Sequence, residues 1–421
     1  MKKTVGLVIS IICLVLVASL GYKFIYKISP REFITKDTRI IYANEGINNK
    51  NFLQLLPFLE NEEQKKSFEK NVKKLKYISK VYVFSDKEFY EFGKKNAVVV
   101  VDPGFFYPLY LTKINEYFEP VKDGVFKMLP ETRDKYFSEV KEDIFLLPYR
   151  GLFILAVRPG FLKEFSENPK KYMYDKDIEN YLDENRDNLL GTLVYSNKGV
   201  DFYGIDYFTI TGTVKNNLLD IEQRVVLNKE TAKKYQSTKS QRELVKYLDK
   251  GDIYIAPDDF SKVDNLLFNP YIIGQNVDKN TFVNIWKGIF DIDIEEMLQE
   301  IDGEVLIRNS QDGISGMFKM KKDFPEIRKF LNILNSQNGL FSLKKEIEIK
   351  DNNILVVGEN NFEEKVKNYN LPKGTFLFGD LDLSRILRVP DLDVKVLGYD
   401  NEIKVDVEMS AKTLKEIERR Y

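Results

Sequence analysis

The chain has 421 residues, 31% of them charged and 43% hydrophobic, with a formal net charge of −1. That balance fits a folded chain long enough for two ordinary domains and lacks the basic excess of a nucleic-acid binder, so no nucleic-acid partner is expected. There is no histidine and a single cysteine, Cys13, which excludes a Ser-His-Asp triad, a Cys-His pair, a His- or Cys-ligated metal centre and an intrachain disulfide.

Catalysis would have to use Asp, Glu, Lys, Tyr or Ser. A carboxylate-only Ca²⁺ or Mg²⁺ site stays open on composition, and no cofactor is expected.

The first element is an uncharged run from Thr4 to Tyr22. As a helix it would span about 28 Å, close to the ~30 Å hydrocarbon core of a bilayer. Val5, Leu7, Ile9, Ile12, Leu14, Leu16, Leu20 and Tyr22 are its membrane-anchor residues. Lys2 and Lys3 precede it, Lys23 and Lys27 follow it, and Phe24-Ile25-Tyr26 extends it as an interfacial belt would. The run exceeds the ~7–15-residue core of a signal peptide, so residues 1–28 are expected to form a cytoplasmic stub and an uncleaved signal anchor. Counting Lys23, Lys27 and Arg31 against Lys2 and Lys3 does not favour an outside C-terminus. The short Lys-led N-terminus before a long remainder does, and it puts the rest of the chain in the cell envelope.

Beyond the anchor the chain reads as an internal duplication, residues 29–239 and 240–421. Ser29-Pro30-Arg31-Glu32-Phe33-Ile34 is a capping-box start with proline at the first helical position, and Ser240-Gln241-Arg242-Glu243-Leu244-Val245 repeats it. Ile40 to Ala43 then answers to Ile253 to Ala256, and Phe52 to Leu59 to Phe260 to Leu267. Ser85 and Glu88 predict a short helix stopped at Gly93 before the strand Val98 to Val101. Asp293 and Glu296 predict one stopped at Gly303 before the strand Val305 to Ile307. Ile154 to Val157 matches Ile354 to Val357, Gly191 to Tyr195 matches Gly374 to Phe378, and Ile221 to Leu227 matches Ile403 to Met409. A Lys-rich helix follows each of the last pair. Turn signals such as Ser196 to Gly199 and Gly398 to Asn401 favour antiparallel pairing. The expected fold class is therefore α+β: a transmembrane helix, then two tandem copies, each an antiparallel sheet with short helices on one face.

Several motifs have plainer explanations. Ser67 to Lys70 and Ser342 to Lys345 match S-x-x-K, but the companion patterns of penicillin-recognising enzymes are missing. Asp291 to Glu296 is acidic, yet Glu296 stands where a calcium loop needs glycine, and a capped helix start explains it. The lysines from Lys65 to Lys80 make a basic helix, read as a solvated face. Asp102 to Tyr110 is the most aromatic stretch, and its counterpart in the second copy, Asn309 to Ile314, is polar. Core packing accounts for such a stretch most simply. Its functional alternative makes Phe105, Phe106, Tyr107 and Tyr110 contacts to a ligand or to the bilayer.

The order of elements, with Asp291 to Ile307 and its Gly303-Glu304, resembles a loosely defined family of membrane-anchored bacterial proteins of unknown function. The strand and following segment at Ile354 to Lys365 is similar too. That resemblance implies an anchored α+β region and no activity. The expected function is that of a non-enzymatic binding or scaffold protein, with an envelope protein, glycan or lipid as partner. The alternatives are a carboxylate-dependent hydrolase of envelope glycans, marked by two carboxylates ~5–9.5 Å apart in a cleft, and a lipid-handling protein, marked by a large apolar cavity.

Overall fold

The computed structural model describes residues 26–420 apart from 36, 48–51, 60, 76–77, 87–94, 138–139, 168–175, 187, 198–203, 238–241, 263–278, 311–312, 337–346, 351–352, 359–361, 366–368 and 385–387. The anchor residues Val5 to Tyr22 lie outside the described residues, as do Glu88, Gly93, Ser240 and Ser342. No helix among the described residues is long and apolar enough to cross a membrane; this says nothing of strands.

The fold is α+β, with antiparallel pairing at each described strand pair. Contacts divide it into two compact units. One holds residues up to 196 and 209–217, the other residues 197–208 and 218 onward. This division falls earlier in the chain than the sequence repeat at 239–240.

In the first unit, β1 (Ile40–Asn44), β2 (Lys80–Ser85), β3 (Val98–Asp102), β4 (Phe118–Lys122), β5 (Val125–Met128), β6 (Phe145–Tyr149), β7 (Leu152–Ala156) and β8 (Thr192–Ser196) lie in the order β8-β1-β2-β3-β7-β6-β5-β4. Alternation sets the two faces. In β3, Val98 and Val100 are buried and Val99 and Val101 only partly so. In β7, Leu152, Ile154 and Ala156 are buried, and Phe153 and Leu155 partly. The fully buried face includes Tyr82 of β2, which pairs with Val100. Beside that face runs the turn Pro30–Phe33, where Phe33 stacks on Phe165 of the helix Pro159–Glu167 at 4.6 Å. Arg150 and Gly151 make the two-residue turn between β6 and β7, both at positive φ, 43° and 86°. The β4–β5 ladder slips between Pro120 and Lys122.

β9 (Ile205–Lys215) contributes residues to both units. In the second unit, β10 (Leu218–Leu227), β11 (Asp252–Ile255), β12 (Ile301–Ser310), β13 (Gly313–Met320), β14 (Ile347–Lys350), β15 (Ile354–Val357), β16 (Leu377–Asp382), β17 (Leu392–Tyr399) and β18 (Glu402–Ser410) lie in the order β14-β15-β13-β12-β11-β16-β17-β18-β10. The strands of this unit are covered on both faces. Leu244, Tyr254, Leu306, Met317 and Val356 form one cluster; Val305, Leu355, Phe324, Ile327 and Leu331 belong to the other.

Several local expectations need correction. Ser85 ends strand β2, and the short helix expected after it, with Glu88 and Gly93, lies outside the described residues. Gly303 does not stop the helix Ile294–Gln299; it lies inside β12 at φ 76°, where the register shifts between Ile301 and Val305. A bulge needs that backbone, which glycine adopts freely. Val98–Asp102 is also not the counterpart of Val305 to Ile307 by position. β12 pairs directly with β11, whereas Val98–Asp102 is one strand removed from β1. Phe362 to Lys365 carries no helix.

Candidate functional site

Three adjacent strands supply the floor of a cleft in the first unit. Val101 pairs with Phe153 and Leu146 with Leu155, and directly opposed residues project to the same face. The roof follows from β3 by a sharp turn. Asp102 ends the strand, Gly104 takes φ 59°, and the chain enters the helix Tyr107–Thr112. Phe106, Leu109 and Tyr110 come from this segment, then Lys113, Ile114, Tyr117 and Phe118. Together they enclose a half-open pocket of about 640 Å³, within the ~300–1,000 Å³ usual for small-molecule sites. Lys113 is the one charged residue among those lining it, and none is acidic.

The four aromatic residues singled out in the sequence take different roles. Phe106 and Tyr110 line the pocket. Tyr107 is 4% exposed and packs on Phe153 with ring centres 5.0 Å apart. Phe105 is 72% exposed. The remaining floor and roof residues were not singled out, because strands β3, β4, β6 and β7 and the helix Tyr107–Thr112 with the turn after it bring them together only in the fold. The alternation within β3 and β7 was the available signal.

Asp102 ties this site to the start of the described chain. Its carboxylate accepts a hydrogen bond from the Gly104 N–H at 2.7 Å and pairs with Lys27 Nζ at 2.7 Å. One step away, Arg150 Nε donates to the Tyr26 carbonyl at 3.2 Å, and the Ile28 N–H donates to the Arg150 carbonyl at 3.3 Å. Residues 26–28 are thus fastened across the ends of the three floor strands.

A second constellation, also unforeseen, surrounds Glu45. Its carboxylate accepts from Arg31 at 2.8 Å and Lys80 at 2.8 Å, and the Tyr82 hydroxyl hydrogen-bonds to it. Arg31 also reaches Asp183 at 2.9 Å. Burial alone would raise the Glu45 carboxyl, but the Lys80 and Tyr82 hydrogen bonds and the Lys80 and Arg31 charges hold it down at about 2. Burial, with the Glu45 charge, pushes the Tyr82 phenol up. These groups pair with one another and line no part of the pocket. They brace the Ser29-capped turn, whose predicted box is present: Ser29 Oγ accepts from Arg31 N–H and Glu32 accepts from Ser29 N–H.

The second unit braces its turn Leu244–Tyr247 with Glu304, which accepts from the Glu243 and Leu244 N–H groups, each at 2.9 Å, and from the Tyr254 hydroxyl at 3.1 Å. Burial raises this carboxyl against those hydrogen bonds. In the acidic stretch, Asp293 caps its helix and binds Lys287 at 2.6 Å. Among the described residues no cluster of three or more carboxylates is placed to hold a metal ion.

No known protein family matches the chain, and no curated protein matches it. Among solved structures, crystal form I of TP0453 is similar over 48% of this chain and 80% of that one, at 11% identity and a TM-score of 0.29. Crystal form III of TP0453 is similar over 48% and 81%, at 11% identity and a TM-score of 0.32. Likeness at this level carries no argument about fold or activity.

Proposed function

We propose that the protein is a single-pass, membrane-anchored binding protein of the cell envelope that holds an apolar ligand in the pocket of its first unit. The single observation that carries this is the pocket itself: a cleft of about 640 Å³ with an apolar floor and one cation, Lys113, in its lining. Of the readings open from the sequence, a lipid-handling protein is the one that calls for such a cavity. A glycan hydrolase would instead call for a carboxylate pair in the cleft, and no carboxylate lines it.

The test is titration of the full chain, held in amphipol, with a fluorescent long-chain carboxylate. Saturable enhancement that is lost in Leu155→Trp is expected. Enhancement that does not saturate, or is indifferent to that substitution, overturns the pocket as a site. The anchor is tested separately by alkaline carbonate extraction, and its side of the membrane by protease treatment of intact spheroplasts. Release into the supernatant overturns anchoring. Protection of the long C-terminal part overturns the envelope placement.

The two units are read here as diverged copies. The order β8-β1-β2-β3-β7-β6 in one matches β16-β11-β12-β13-β15-β14 in the other. Gly191 and Gly374, ahead of β8 and β16, both take positive φ, 74° and 85°. On this correspondence β2 answers to β12 and β3 to β13. The face filled by the helix Pro325–Ser336 in one copy is the face left as a cleft in the other. An alignment of related chains in which the segments around β1–β3 and β11–β13 share no pattern overturns the duplication.

A further inference from the structure

We propose that the pocket opens onto the bilayer that receives the Thr4–Tyr22 run, and that it takes the acyl chain of a phospholipid from that same leaflet. This rests on the anchored reading above and adds the ligand class and its source. Three observations carry it.

The first is distance along the chain. Tyr22 closes the apolar run, and Tyr26 is already fastened to Arg150. Four residues reach at most ~14 Å, so the fastened end of β3, β6 and β7 stays close to wherever Tyr22 emerges. The second is exposure. Phe105 and Leu109 are 72% and 55% exposed, and they flank the Lys27–Asp102–Gly104 fastening rather than the opposite end of the sheet. Large apolar side chains gathered on one rim mark a surface that meets an apolar partner, and aromatic residues are enriched at the membrane interface. The third is charge. Lys113, itself exposed, is the one cation in a lining that holds no acidic residue, which suits a phosphate headgroup above an acyl chain.

The experiment uses the full chain in vesicles of phosphatidylcholine and phosphatidylglycerol, with the photocrosslinker p-benzoylphenylalanine placed singly at Leu16, Phe105, Tyr110 or Asp86. Asp86 is exposed and follows the far end of β2. Lipid adducts are counted by mass spectrometry. Adducts at Leu16, Phe105 and Tyr110 but not at Asp86 are the expected result. Leu155→Trp then lowers the Tyr110 adduct about tenfold, equivalent to keeping roughly two methylene groups out of the pocket. Its Phe105 adduct and thermal unfolding stay unchanged, and Val101→Phe serves as a second filling variant. Adducts at Leu16 without any at Phe105 overturn the inference and leave the anchor standing. Absence at both overturns the anchored reading and the inference with it. Equal labelling at Asp86, or a Tyr110 adduct unmoved by both filling variants, overturns the inference.

Discussion

Glu45 shows how one side chain can set the acid limit of a unit. Its carboxyl is held at about 2 by Lys80, Tyr82 and Arg31 against the cost of burial. Because the folded value lies below the unfolded one, its contribution is fully present above pH ~4.5 and is lost as pH falls toward 2. Glu45→Gln should therefore lower stability at pH 7 by about 1–3 kcal/mol, allowing for solvent screening of the partly exposed Lys80. It should also flatten the acid limb between those two values. Urea unfolding at pH 7 and pH 3 checks this; an unchanged difference between the two pH values would remove Glu45 from the account. The Ser29 box was legible because capping is a local matter of three residues. Glu45 and Glu304 were not, since their partners, such as Arg186 for Glu45 and the Glu243 N–H for Glu304, stand far away in the chain.

The aromatic segment after β3 divides its labour within three residues. Tyr107 is buried on Phe153, whereas Phe105 points outward. Tyr107→Ala should cost ~3–5 kcal/mol, as large-to-small core changes do, while Phe105→Ser should stay within ~0.5 kcal/mol. Thermal unfolding of both variants checks the division, and a large loss in Phe105→Ser would place that ring in the core. Most strands were readable from alternation and their bounding turns. What misled was the likeness of one short apolar run to another: Val98 to Val101 and Val305 to Ile307 match as strings but occupy different places in their sheets. The pattern carries period, not neighbours. Gly303 misled for a related reason, because a glycine at positive φ ends a helix or opens a bulge with the same local geometry.

For the molecule as a whole, the fastening of residues 26–28 decides how closely the first unit follows its N-terminal segment. Asp102→Asn keeps an acceptor for the Gly104 N–H but removes the charge that pairs with Lys27. Trypsin should then cut after Lys27 several-fold faster in the full chain in vesicles, with cleavage in the rest unchanged. Equal rates would mean that the Arg150 bonds alone hold the segment. Length alone leaves room for two units, but the boundary between them could not be read from it. β10 pairs along nearly its whole length with β18, and that long-range ladder, invisible in any local window, assigns it to the second unit.

The slipped ladder at Pro120 has its own consequence. Among the described pairings β4 has β5 as its sole neighbour, which leaves its other side as a sheet margin. Proline removes a donor there, the bulge bends the row of carbonyls, and Glu119 and Lys122 add charge. These are the features by which proteins keep a free margin from recruiting another strand. The unit that carries the apolar cleft is thereby kept from adding a second copy of itself, strand to strand, along that margin.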